Sequence, residues 1–102
     1  MRIAGFDWDA GNWPKCAKHG VSKNEIEHAL LHDPLIAPDP AHSGPEDRYI
    51  VIGRNRQGRP MFIGVTFRTV DGKRLIRPIT ARYMHAKEVK RYETQRSQTE
   101  NR

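Results

Sequence analysis

The residues with the clearest chemical potential are arginines in segments with strand character. Arg77 lies between Ile76 and Ile79, in the middle of a predicted strand where a β-branched residue is more usual. A guanidinium held on a strand could bind phosphate through two hydrogen bonds, or stabilise the negative charge of a phosphoryl transition state. The alternative is a structural arginine paired with a carboxylate across the sheet.

Further candidate residues flank the same strands. Arg48 and Arg54 are an even number of positions apart, so a regular strand would point both to one face, where they could clamp phosphates. Both could equally be exposed ion-pair partners. Arg82 is a candidate catalytic cation at a strand end, or a plain strand-end charge. Tyr83 could stack on a nucleic-acid base, or be a boundary aromatic.

Two helix-associated sites are also candidates. His19 lies at a predicted helix C-terminus, which stabilises its protonated form, so it could act as an acid or join Lys18 in binding phosphate. Its simpler interpretation is a capping residue. Tyr92 on the last predicted helix could donate a proton or stack on a base, although helix packing is the simpler interpretation.

The metal signals are weak. His28 and His32 are four positions apart, but no H-E-x-x-H pattern accompanies them. Asp7 and Asp9 would share a strand face, yet Asp9 is more simply a helix N-cap. Nothing marks Cys16 as a nucleophile, and phosphate-loop, dinucleotide and Ser-His-Asp patterns do not occur. We therefore expect neither a metal nor a cofactor.

The charge distribution points to a polyanionic partner. The net charge is +6, with 18 basic and 12 acidic residues. Residues 1–47 hold four basic and eight acidic residues, whereas residues 48–102 hold fourteen basic and four acidic ones. Such asymmetry is typical of nucleic-acid binding by the second half, although a solvated basic surface is the plain alternative.

Helix signals are concentrated at the two ends of the chain. Asp9 predicts a helix over residues 10–19, in which Pro14 is awkward because it lacks an N–H. Ser22 and Glu25 form a capping box that predicts a second helix, ended before Pro34. A third helix is predicted over residues 84–95.

Strand periodicity dominates the second half. We predict an antiparallel meander over residues 48–53, 61–68 and 75–81, a short first strand over residues 3–8, and an extended piece over residues 35–38. Asp71-Gly72 is a hairpin signal. Pro78 predicts an edge position or a bulge. The expected class is α+β: an antiparallel sheet of three to five strands, two N-terminal helices and one C-terminal helix.

Several short motifs, in order, resemble the BrnT family. They are Phe6-Asp7-Trp8-Asp9, Lys18-His19-Gly20-Val21, Asp33-Pro34-Leu35, residues 46–54, residues 76–82, and Glu88 with Tyr92 in the last helix. The resemblance implies a RelE-like fold and a ribonuclease toxin of a type II toxin–antitoxin pair. It also implies neutralisation by a BrnA antitoxin, a ribbon-helix-helix protein, in a hetero-oligomer.

The resemblance and the charges together predict a metal-independent endoribonuclease. The candidate catalytic residues are Arg77, Arg82 and His19, and the candidate RNA-binding residues are Arg48, Arg54, Lys18, Tyr83 and Tyr92. Two alternatives are a non-catalytic nucleic-acid binder or inactivated toxin, and a protein-interaction module.

Length and hydropathy set the expected organisation. The 102 residues predict one domain over residues 1–96, followed by a frayed polar tail over residues 97–102. Because the chain has neither an apolar run long enough for a membrane span nor a signal pattern, we expect a cytoplasmic protein that does not enter the membrane.

Overall fold

A five-stranded mixed sheet forms the centre of the fold, which the computed structural model describes for residues 3–100, with side chains through residue 94. The elements are β1 (Gly5–Phe6), a 3-10 helix (Lys15–His19), α1 (Lys23–Leu31), β2 (Leu35–Pro38), a second 3-10 helix (Pro40–His42), β3 (Tyr49–Arg54), β4 (Pro60–Val70), β5 (Lys73–Tyr83) and α2 (Ala86–Glu100). The strand order is β1-β5-β4-β3-β2.

The predicted architecture is wrong in two respects, although the class is α+β. The sheet is not purely antiparallel, because β1 pairs in parallel with β5, Gly5 opposite Leu75 and Phe6 opposite Ile76. Only two α-helices lie within the described residues, not three. The segment predicted as the first helix consists of turns followed by a five-residue 3-10 helix. Pro14 explains this outcome, because it offers no N–H to an α-helical ladder.

The meander and its turn follow the prediction. β3, β4 and β5 pair in sequence as antiparallel strands. Asp71 and Gly72 both have positive φ, 52° and 75°, as a two-residue type I′ hairpin requires. Pro78 lies opposite Val65, where the β4–β5 register shifts, so the predicted bulge is confirmed.

Helix α1 covers one face of this sheet. Ser22 accepts the Glu25 N–H at 3.1 Å and the Glu25 carboxylate accepts the Ser22 N–H, which confirms the predicted capping box. The apolar face of α1 joins the inward residues of the strands in one core. This core comprises Cys16, Val21, Ile26, Ala29, Leu30, Val51, Met61, Ile63, Val65, Ile76 and Ala81.

A buried asparagine fastens the first loop to the sheet. Asn12 is 1% exposed. Its amide donates to the carbonyls of Asp7 and Pro78, both at 2.9 Å, and its oxygen accepts the Asp9 N–H at 2.8 Å. Because the bulge at Pro78 frees that carbonyl from the ladder, Asn12 satisfies a group that would otherwise be buried without a partner.

Helix α2 extends further than the sequence predicted. It runs to Glu100, whereas the side chains of residues 95–100 and the last two residues, Asn101 and Arg102, lie outside the described part of the chain. The single-domain boundary at residue 96 and the frayed tail therefore stay predictions. Within the described residues, no helix has the length and hydropathy needed to span a membrane.

We expect Gly53→Ala to destabilise the fold by about 1–3 kcal/mol, the usual effect of overpacking a core. A methyl group at Gly53 would lie 2.5 Å from the Ala29 carbonyl oxygen, so α1 would have to move away from β3. Urea denaturation measures the change in unfolding free energy. Gly44→Ala is the control, because a methyl there meets nothing within 4 Å. Equal stabilities of the two variants would contradict close α1–β3 packing.

Candidate functional site

The sheet face opposite α1, here called the open face, carries most of the candidate residues. On β4 the residues that alternate with the core positions are Phe62, Gly64, Thr66 and Arg68. Across the β4–β5 pair, Thr66 is opposite Arg77 and Phe62 is opposite Arg82. The open face therefore presents arginines from several positions along its length.

Three of these arginines line one shallow cleft of about 310 Å³, here called the basic cleft. Its floor comes from the sheet and its wall from the loop between β2 and β3. The lining residues are His42, Gly44, Pro45, Glu46, Arg48, Thr66, Arg68, Arg77 and Ile79. The fold thus brings Arg48 and Arg77 together, as a common phosphate site requires.

Arg77 is nearly buried and already paired. It is 8% exposed and donates to both carboxylate oxygens of Asp9, at 2.9 and 3.0 Å, while Nη1 lies 3.5 Å from Asp7. These hydrogen bonds raise the pKa of Arg77 and lower the pKa of Asp9. Arg77 therefore makes the contacts expected of a structural arginine paired with carboxylates. Asp7 and Asp9, considered above as a carboxylate pair for a metal, instead face its guanidinium.

Arg48 is the contrasting case. Its Nε is buried and has no hydrogen-bond partner within the described residues. The guanidinium lies across Gly64, where a methyl group would come 3.0 Å from Nη2 and 3.3 Å from Nε. Gly64 thereby leaves the space in which Arg48 crosses β4. A guanidinium held in the cleft without a carboxylate keeps its donors for an anion.

Arg82 lies at the other end of the open face. It forms a bidentate pair with Glu88 of α2, at 2.7 and 2.9 Å, and its guanidinium lies 4.7 Å from the centroid of the Phe62 ring. The pair raises the pKa of Arg82 and holds the pKa of Glu88 at about 2. Glu88 also accepts the His85 N–H at 2.9 Å, so the same carboxylate caps α2.

Tyr83 is engaged on both its hydroxyl and its ring. The hydroxyl donates to Glu25 at 2.6 Å, and the Arg59 guanidinium lies 3.7 Å from the ring centroid. Glu25 also accepts from Asn55 at 3.0 Å, so it links α1 to β5 and to the β3–β4 loop. The Tyr83 hydroxyl is the main reason that the pKa of Glu25 falls to about 2, and the pKa of Tyr83 is raised in turn.

Arg54 and Tyr92 belong to this same end of the sheet. Arg54 donates to the Gly58 carbonyl at 2.7 Å and lies 3.5 Å from Glu93 and 5.8 Å from the Tyr92 ring centroid. Tyr92 is 4% exposed, which agrees with the packing interpretation. The predicted pairing of Arg48 with Arg54 in one clamp is not what the contacts favour, because the two arginines lie at opposite ends of β3.

The two candidates before α1 are exposed. Lys18 and His19 end the first 3-10 helix, and Gly20 follows with φ 81° and donates to the Ala17 carbonyl at 2.9 Å. Neither lines the basic cleft. His28 and His32 stack with their ring centroids 4.0 Å apart, and each uses Nδ1 on a backbone carbonyl.

Arg68 and His42 are among the lining residues that the sequence analysis did not identify as candidates. Arg68 sits half-exposed between Asp7, at 3.4 Å, and Glu46, at 3.7 Å. The sequence does carry a signal for Arg68, because it is the last residue of the predicted strand 61–68 and is in phase with the polar positions of that strand. His42 lies in a loop rich in proline, and its only local signal is the Asp39-x-x-His42 spacing.

The cleft and the charge distribution are suited to a phosphate backbone, since arginines held on a rigid face can donate to that ligand. The chain belongs to the BrnT family: residues 8–88 match the model of the ribonuclease toxin, BrnT, of type II toxin–antitoxin systems. It is accordingly a ribonuclease toxin, acting on RNA and paired with an antitoxin, which confirms the predicted family and activity. The search of the curated proteins gave no match.

We expect fold stability to fall on the acid side partly through Glu25. Its carboxyl has a pKa of about 2 in the fold against 4.5 ordinarily, so its contribution is present above pH 4.5 and is lost as the pH falls toward about 2. In Glu25→Gln, the unfolding free energy should decline less steeply over this window, as measured by urea denaturation at several pH values.

Tyr83→Phe is the matched variant for this prediction. It keeps the ring that Arg59 covers and removes only the hydroxyl that Glu25 accepts. It should flatten the acid-side decline in the same direction. A wild-type slope in both variants would show that the Tyr83–Glu25 contact does not stabilise the carboxylate.

Proposed function

We propose that RNA is bound and cleaved in the basic cleft, by a reaction in which the ribose 2′-OH attacks the adjacent phosphate without a metal ion. The observation that carries the proposal is the convergence of Arg48, Arg68 and Arg77 on one cleft. Attack by the 2′-oxygen places extra negative charge on the phosphoryl oxygens, and guanidinium donors fixed around that position stabilise it. Cleavage is therefore expected to persist in the presence of a chelator.

The three arginines are proposed to divide the work according to their partners. Arg48 supplies a guanidinium that has no carboxylate partner within the described residues and whose buried Nε makes no hydrogen bond. Arg68 has only long contacts to Asp7 and Glu46, so it can exchange them for a phosphate. Arg77 is held rigidly by Asp9 and contributes its charge from the cleft floor, which keeps it as a proposed catalytic residue.

The second group of candidates is proposed to hold flanking nucleotides. Arg82 and Arg77 are opposite Phe62 and Thr66, four residues apart on β4, which is about 13 Å along a strand. Arg82 is therefore proposed to contact a neighbouring phosphate rather than the one at Arg77, and Arg54 and Tyr83 are proposed to hold flanking nucleotides. The roles of Tyr92 and Lys18 in RNA binding and of His19 in catalysis stay predictions, which binding and cleavage assays on RNA oligonucleotides test.

The antitoxin is proposed to be a BrnA-like ribbon-helix-helix protein that covers the basic cleft with an acidic segment. Neutralising a ribonuclease requires only that RNA be kept from its site. A segment rich in Asp and Glu would compete for the arginines that phosphate uses, and charge complementarity would speed its association. The expected assembly is a hetero-oligomer of toxin and antitoxin.

Arg48→Ala should lower RNA cleavage by about 10²–10³-fold, the usual effect of losing one transition-state donor. Fluorescent RNA oligonucleotides measure cleavage and binding, and thermal unfolding monitors the fold. Unlike Arg77, Arg48 leaves no unpaired carboxylate when removed, so Tm should change little. Arg48→Lys should restore activity only in part, because lysine lacks the planar fork.

Arg56→Ala is the control, since Arg56 is an exposed arginine in the β3–β4 loop. Both variants lose one positive charge. The salt dependence of RNA binding should decrease by about 0.7 in log–log slope for Arg48→Ala only. Equal cleavage and equal slopes in the two variants would contradict RNA binding in the basic cleft.

Co-expression with a BrnA-like antitoxin should give a stable complex that no longer binds RNA. Raising the ionic strength should weaken the complex, and Arg48→Ala combined with Arg68→Ala should weaken it at low salt. Size-exclusion chromatography and titration calorimetry measure both effects. Free toxin recovered after co-expression, or a complex that still binds RNA at the cleft, would count against this arrangement.

A further inference from the structure

A histidine–aspartate pair stands at the wall of the basic cleft. His42 lines the cleft together with Arg48, Arg68 and Arg77. Its Nδ1 lies 2.9 Å from the Asp39 carboxylate. The His42 side chain is 68% exposed and that of Asp39 only 13%, so the imidazole is accessible while the group that orients it is sheltered.

The loop fixes this pair relative to Arg48. The Asp39 N–H donates to the Arg48 carbonyl at 2.8 Å, and the Arg48 N–H donates to the Ser43 hydroxyl at 3.0 Å. The Ser43 hydroxyl in turn donates to the Asp39 carbonyl at 3.0 Å, and the His42 N–H donates to that same carbonyl at 3.2 Å. The turn that carries His42 is thereby tied to the backbone of Arg48, the residue directly before β3.

The Asp39 contact determines which imidazole nitrogen is available. A carboxylate can only accept, so the neutral His42 donates from Nδ1 and carries its lone pair on Nε2. An aspartate that holds a histidine in this tautomer and stabilises the imidazolium formed on proton uptake is the arrangement by which such pairs act as general bases. The His42–Asp39 pair is not an isolated surface contact, because His42 lines the same cleft as three arginines.

We propose that His42 is the general base of the cleavage reaction and that Asp39 is its positioning residue; this rests on the proposed function. Nε2 of His42 takes the proton of the 2′-OH as the 2′-oxygen bonds to phosphorus. The P–O5′ bond breaks, leaving a 2′,3′-cyclic phosphate, and the departing 5′-oxygen takes a proton from water at the open side of the cleft.

The decisive variant is His42→Gln, which keeps a polar side chain in the loop. Cleavage of an RNA oligonucleotide should fall about 10²–10⁴-fold, while binding of an uncleavable 2′-deoxy analogue stays at the wild-type level. His32→Gln is the control and should retain activity, because His32 is an exposed histidine at the end of α1 that does not line the basic cleft.

The pH profile supplies a readout that a structural role would not move. The wild-type rate should rise with pH across the range in which histidine titrates, and this rise should disappear in His42→Gln. The charged groups near His42 are Asp39, which contacts it within its own turn, and the other charged residues that line the cleft: Glu46, Arg48, Arg68 and Arg77. Carboxylates and guanidinium groups ordinarily titrate outside pH 5–8.

The outcomes separate the two proposals. Wild-type cleavage in His42→Gln, with Arg48→Ala inactive, overturns the role of His42 and leaves the basic cleft as the site. Loss of analogue binding in His42→Gln in proportion to cleavage makes His42 a phosphate ligand, which also overturns it. Wild-type behaviour of both variants overturns the site itself. Asp39→Asn should give a smaller loss than His42→Gln, with the same change in pH profile.

Discussion

The salt bridge between Arg77 and Asp9 joins the first part of the chain to the middle of the sheet. Strand β1 is only two residues long and pairs with β5 at two positions, so strand pairing alone fixes the N-terminal segment weakly. The bidentate Arg77–Asp9 contact and the buried amide of Asn12 add polar ties at the level of the Pro78 bulge. Together they hold the loop that leads into the first 3-10 helix, whose Cys16 completes the core.

Pairing with carboxylates also separates the arginines of the open face by the donors that each has left for a ligand. Arg77 and Arg82, the arginines with the best strand positions, each face a carboxylate in bidentate geometry. Arg48 has no such partner within the described chain, and Gly64 gives it room to lie across the sheet. The arginines that carboxylates hold rigidly, Arg77 and Arg82, are therefore not the arginine whose guanidinium lacks such a partner, Arg48. A phosphate site benefits from both, since the paired arginines fix the geometry and the unpaired one offers hydrogen bonds.

The parts of the fold that the sequence predicted are those encoded by neighbouring residues. The Ser22–Glu25 capping box, the Asp71-Gly72 turn and the meander depend on local contacts, and they are present. The parallel pairing of β1 with β5 and the burial of Asn12 depend on residues about 70 positions apart, which periodicity does not reveal. In the site, strand position singled out Arg77, and this residue lies in the lining of the cleft. It did not reveal that Asp7 and Asp9, considered separately as a carboxylate pair, are its partners.

The basic cleft combines two kinds of wall. Its floor is the sheet, where side chains are fixed by cross-strand pairing, and its rim is the loop between β2 and β3, which is exposed for most of its length. A single network of hydrogen bonds through Ser43 and Asp39 connects this loop to Arg48. Any ligand that draws on both walls must therefore match the spacing that this network sets. The loop consequently contributes specificity of position, whereas the sheet fixes the orientation of the side chains on the cleft floor.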